Sequence, residues 1–174
     1  MILCLLKLNK NYDKYFFMMK NSNCRPAIIL GMHDAIVSLT GLIAGLFFAF
    51  SDANIIIISC IISSITASLS MGAANYLATK SEHSEIALKS ALYTGAAYMI
   101  TCAFLILPFF VFDERIVTLG ASIFMAVLII FVFNRCCYSG RAFYKHFLEM
   151  LFICAIVSIV AFLIGETARK VFGV

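Results

Sequence analysis

The chain has 174 residues, of which 63% are hydrophobic and only 13% charged, and its mean hydropathy is +1.03. A soluble domain is nearer half apolar, so this composition excludes a soluble globular protein and points to a polytopic membrane protein. The net charge of +4 does not call for nucleic acid, because the basic residues flank the apolar runs, where they orient a chain in a bilayer.

The first segment, residues 1–26, reads as cytosolic or interfacial. MILCLL is too short an apolar run for a signal peptide and no charged region precedes it. The mix of Lys14, Tyr15, Phe16, Phe17 and Lys20 suits a membrane surface, and Met18 or Met19 is an alternative start of translation. Five apolar spans follow, at about 27–50, 53–79, 87–112, 115–134 and 147–166. Each is near the roughly 20 residues that a bilayer requires. The runs are continuously apolar rather than alternating, which predicts helices and not a barrel. Ser51 and Asp52 alone join the first two spans, a tight helical hairpin, and Asp113 and Glu114 join spans three and four. Pro108 is expected to bend the third span. A tail, 167–174, closes the chain.

Orientation follows from Lys and Arg. Lys7, Lys10, Lys14, Lys20, Arg25, Lys80, Lys89, Arg135, Arg141 and Lys145 fall on one side, and Arg115, Arg169 and Lys170 on the other. Ten against three predicts a cytosolic N-terminus and a C-terminus outside or in a lumen. The seven cysteines form no CxxC pair. Most lie in or beside apolar helices, where cysteine acts as a small hydrophobe, and no disulfide framework or zinc site is readable. Cys136 and Cys137, beside Arg135, carry only a weak lipidation signal.

Asp34, next to His33, is the residue that packing does not explain. A carboxylate at mid-membrane costs about 2.5–3.5 kcal/mol on insertion scales, and such groups normally face a protein interior or a water-filled path. Asp34, Ser38, Gly41 and Gly45 are spaced to share one helical face, and Gly41 with Gly45 forms GxxxG, which admits a second helix closely. In the second span Ser64, Ser68, Met71 and Asn75 repeat that spacing, and Ser59, Ser63, Thr66 and Ser70 make a neighbouring row. Hydroxyl rows alone are common helix-packing devices. With a carboxylate beside them they suggest a cation path. A carboxylate with a thioether is a mixed donor set that suits later or softer transition metals better than the all-oxygen shells of magnesium and calcium. One Asp, one Met and one amide do not close a shell. A two-fold dimer would double them, and the GxxxG face offers one way to build it.

These motifs resemble a known family. GMHDAIVSLTGLIAGL (31–46) is similar to the first helix of the vacuolar iron transporter family, with its Gly-x-x-Asp-Gly-Ile-Val-Ser core. SMGAANYLATKSE (70–82) is similar to its second-helix signature, Ser-Met-x-x-Gly-Glu-Tyr-x-Ser. ALKSALYTGAAYMITCAFLILPFF (87–110) and the closing FLIGE (162–166) resemble its third and fifth helices more loosely. The resemblance implies a five-helix dimer that exports iron(II), and often manganese(II), from the cytosol in exchange for protons. It implies a pore between protomers, lined by the first two helices. By position, Asp34 and Met71 correspond to family pore ligands. The chain departs from the pattern at Asn75, where the family has Glu, at Ala74 and Ala35, where it has Gly, and at His33, where it has Asn. Many members carry a Glu- and Met-rich cytosolic domain between helices two and three. Here that connection is only KSEHSEIALKS (80–90).

Around that short connection Glu82, His83 and Glu85 form a candidate cytosolic entry site, against the plainer reading of a solvated loop. Glu149 opens the last span, either as a helix-start carboxylate favoured by the dipole or as a residue of the cytosolic mouth. Glu166 is expected to be solvated and His146 interfacial. No nucleophile–base pair, phosphate loop or cofactor motif is present, so neither an enzyme nor a resident cofactor is expected. The reading is an all-α integral membrane homodimer, five helices per protomer, carrying a divalent metal ion. Asp34, Met71, Asn75 and His33 are its candidate ligands. The alternative is a non-transporting scaffold that keeps the fold. Small size favours a bacterial inner membrane over a vacuolar one.

Overall fold

The computed structural model describes residues 25–82, 84–112, 114–137 and 141–172. The expected interfacial segment, apart from the two residues that open the first helix, lies outside them. The chain forms α1 (Arg25–Ala49), α2 (Ala53–Glu82), α3 (Ala87–Ile106), the single turn α4 (Pro108–Val111), α5 (Arg115–Cys137) and α6 (Arg141–Phe172). Among the described residues five stretches are long and apolar enough to cross a membrane, and there is no strand.

Local chemistry sets the joints. Pro26 lies in the first turn of α1, where its missing N–H costs nothing. The Asp52 carboxylate accepts the Asn54 amide proton at 2.8 Å and caps α2, so two residues suffice to reverse the chain. Pro108 has no N–H to continue α3. The helix breaks at Leu107, and α4 is held by the Phe110 N–H on the Leu107 carbonyl and the Phe112 N–H on the Pro108 carbonyl. The expected bend is thus a helix break followed by a short turn.

The last helix is longer than its apolar run. Residues 147–166 are the expected span, but α6 extends from Arg141 to Phe172, about 48 Å at 1.5 Å per residue. The hydrocarbon layer is about 30 Å thick, so hydropathy ends where the interface begins while backbone hydrogen bonding continues. Polar pairs serve these ends: His146 with Glu149 at 3.5 Å, and Lys170 with Glu166 at 2.8 Å.

Helix α1 is the centre of the bundle and touches α2, α3, α5 and α6. Its inner residues Ile36, Leu39 and Ile43 meet Ile56 and Cys60 of α2, Tyr98, Cys102 and Leu105 of α3, Ile129, Ile130 and Phe133 of α5, and Met150 of α6. Lipid tails are as apolar as these side chains, so close packing rather than the hydrophobic effect holds such helices together. Glycine makes the approach. A Cβ on Gly31 would overlap the Thr94 carbonyl of α3, and one on Gly165 would overlap the Gly45 carbonyl of α1. The helix that enters the GxxxG face is therefore α6 of the same chain: Gly41 lies against Val157 and Gly45 against Ala161. That face is already covered and is not the one left for a second copy.

A candidate cation path on α1 and α2

Arg115 opens α5. Its guanidinium donates to the carbonyls of Phe47 at 2.9 Å and Phe50 at 2.7 Å and lies over the Phe47 ring, 4.8 Å from the centroid. It thereby satisfies carbonyls at the end of α1, where the helix dipole favours a cation. This clasp ties α5 to the C-terminal end of α1, the helix that carries Asp34.

Asp34 lies two to three turns into α1 and is half-buried, with no hydrogen bond or ion pair from its carboxylate among the described residues. One turn on, Ser38 is exposed. Its hydroxyl donates to the Asp34 main-chain carbonyl at 2.7 Å and lies 2.7 Å from the phenol oxygen of Tyr98 on α3. The neighbouring His33 points elsewhere: its ring meets Phe133 of α5 edge-on at 5.4 Å. Its Nε2 is buried without a hydrogen-bond partner among the described residues. Adjacent residues on a helix diverge by about 100°, so the imidazole and the carboxylate serve different faces.

The two polar rows of α2 also separate. Ser64 and Ser68 are buried, and the Asn75 amide donates to Ser90 at 2.8 Å and to Thr94 at 2.5 Å on α3. The Thr79 hydroxyl closes this cluster, donating to the Asn75 carbonyl oxygen at 3.3 Å. Gly72 and Gly95 let the backbones approach along the same seam. Asn75 thus belongs to the α2–α3 contact, and Met71, half-buried, packs against the apolar core. The other row is open: Ser59 and Ser63 are half-buried, and Thr66 and Ser70 are exposed.

No group of three or more His, Cys, Asp or Glu side chains with metal-holding geometry occurs among the described residues. Of the candidate entry residues, the Glu82 side chain and His83 lie outside the described residues, as do the side chains of Cys136 and Cys137. Glu85 is exposed in the turn before α3. Glu149 is exposed and pairs with His146 on the surface of α6. Sequence patterning did not single out Tyr98 or the Arg115 clasp. An aromatic in an apolar run and a basic residue at a helix start carry no mark of a partner some 60 residues away.

A bundle with five helices apolar enough to span a membrane, an Asp34 carboxylate without a partner among the described residues and exposed hydroxyls on α1 and α2 defines an integral membrane protein. The VIT family model matches residues 26–87, the α1–α2 hairpin up to the first residue of α3. That match supports membership of the chain in the vacuolar iron transporter family, and with it metal-ion transport across a membrane. No curated protein matches the chain.

Proposed function

We propose that the protein exports a divalent transition metal, iron(II) or manganese(II), from the cytosol in exchange for protons, through a path between two copies of the chain. The observation that carries this reading is the open polar stripe. Among the described residues Ser38 on α1 and Thr66 and Ser70 on α2 are exposed, and Asp34, one turn before Ser38, is half-buried. Polar groups at this depth are normally turned to a protein interior or a water-filled cavity, and a two-fold pairing of identical stripes supplies both. Two Asp34 carboxylates then face one path. Deprotonated on the cytosolic side, they hold a cation together with hydroxyl oxygens and the Met71 thioether. Protonated from an acidic far side, they release it.

The alternative, a scaffold that keeps the fold without transport, is favoured by one observation: the Asn75 amide is engaged by Ser90 and Thr94 of α3.

The pairing is tested by Ser70→Cys in a background without the native cysteines, treated in membranes with bifunctional maleimides of graded length. A cross-linked dimer is expected for Ser70→Cys and not for Ile116→Cys, whose side chain is 82% exposed at the start of α5. Monomer alone for Ser70→Cys at every length would contradict the reading.

A further inference from the structure

Tyr98 is the side chain through which α3 reaches the open stripe of α1. It is 2% exposed, so its ring is core, while its hydroxyl lies 2.7 Å from the exposed Ser38 hydroxyl. The direction of the bonds follows from proton counting. Ser38 has one hydroxyl proton, and it goes to the Asp34 main-chain carbonyl, 2.7 Å away. Tyr98 must then donate to Ser38. The chain Tyr98 O–H to Ser38 O–H to Asp34 C=O uses the serine proton and one of its two lone pairs. One lone pair remains, on a residue at the surface of the stripe, one turn from the Asp34 carboxylate.

A free serine hydroxyl rotates and presents either a proton or a lone pair. A proton aimed at a cation is repulsive. Here rotation is opposed at both ends, because turning away breaks the bond to the Asp34 carbonyl and the bond from Tyr98 together. From this geometry we infer that Ser38 is an oxygen ligand for the cargo beside Asp34, and that Tyr98 is a positioning residue acting through it. The inference deepens the proposed path and rests on it: Asp34 supplies the charge, Ser38 a neutral oxygen held in the accepting state, and Tyr98 the constraint. The same relay ties the Asp34 turn to α3.

Removing an outer partner of a metal ligand commonly weakens metal affinity about 10–100-fold. A neutral hydroxyl acting on a neutral ligand belongs near the lower end, about tenfold. The experiment is manganese(II) binding by calorimetry and by loss of the free-ion paramagnetic resonance signal, on purified full-length protein in lipid nanodiscs. The set is wild type, Asp34→Asn, Tyr98→Phe, Ser38→Ala and the Tyr98→Phe/Ser38→Ala double variant. Tyr98→Phe and Ser38→Ala should each weaken an Asp34-dependent site by about tenfold, and the double variant should be no weaker than Ser38→Ala alone, since one residue acts through the other. Thermal stability of Tyr98→Phe, measured beside them, separates a packing role, which lowers the melting temperature and leaves affinity unchanged. Ser38→Thr, which keeps the hydroxyl, should restore most of the affinity. Asp34-dependent binding that is unchanged in Tyr98→Phe, or multiplicative losses in the double variant, would overturn the inference and leave the path intact. Absence of any Asp34-dependent binding in the wild type would overturn both.

Discussion

Replacing Gly165 by alanine adds one methyl group where two backbones touch. The new Cβ would overlap the Gly45 carbonyl oxygen and stand 3.0 Å from its carbonyl carbon and 3.2 Å from its Cα. Carbon atoms prefer separations of about 3.5–4.0 Å, so α1 and α6 must part locally by about 0.5 Å or more. Neither backbone can turn aside as a flexible side chain would. Overpacking of this kind costs about 1–3 kcal/mol, and a gap of that size also forfeits a quarter or more of the attraction at neighbouring contacts, such as Gly41 on Val157. The internal control is Gly120→Ala on α5, where a Cβ meets nothing within 4 Å. There alanine should be neutral or stabilising by about 0.5–1 kcal/mol, since glycine is the poorer helix former. Thermal unfolding of both variants in the same detergent, followed by circular dichroism, reads the difference. At about 2–4 °C per kcal/mol for a chain of this size, Gly165→Ala should melt several degrees below Gly120→Ala. Equal melting temperatures would refute the α1–α6 register described above.

Arg115→Met removes both carbonyl contacts at the end of α1. It should lower amide-exchange protection of the last turn of α1 by about tenfold, with little change in α3; unchanged protection would show that the clasp is idle. Asn75→Leu leaves Ser90 and Thr94 without their donor. Intramembrane hydrogen bonds average about 0.6 kcal/mol and reach about 1.7, so a loss of about 1–2 kcal/mol in stability is expected at unchanged metal affinity. The opposite pattern would make Asn75 a cargo ligand. Met71→Ala should shift the ratio of iron(II) to manganese(II) transported, measured in competition, more than it lowers protein yield. A fall in yield alone assigns Met71 to packing.

Much of the architecture is legible in the chain because apolar length is a direct physical requirement of the bilayer. The five spans and the short connections between them follow from it, and Asp52 marks the start of α2 as a cap should. The ends of α6 are not legible in the same way, since Arg141, Lys145 and Arg169 are as comfortable in a helix crossing the interface as in a loop. What sequence spacing withholds is the neighbour. GxxxG at Gly41 and Gly45 signals that some backbone comes close, and either a second copy or α6 would satisfy it. Likewise, Ser64, Ser68 and Asn75 make a polar row whether it faces a cation path or the hydroxyls of α3. Only Asp34 carries its meaning alone, because a carboxylate is the one group in these rows that helix packing does not require.

In the proposed cycle Asp34 couples metal movement to protons. The measurement is iron(II) and manganese(II) flux into proteoliposomes with an imposed pH gradient, with internal pH followed in the same vesicles, for wild type and Asp34→Asn at matched incorporation. Metal entry and proton exit that rise together, require the gradient and fall by at least tenfold in Asp34→Asn are the expected result. Full flux retained in Asp34→Asn, or metal movement indifferent to the gradient, would contradict the account.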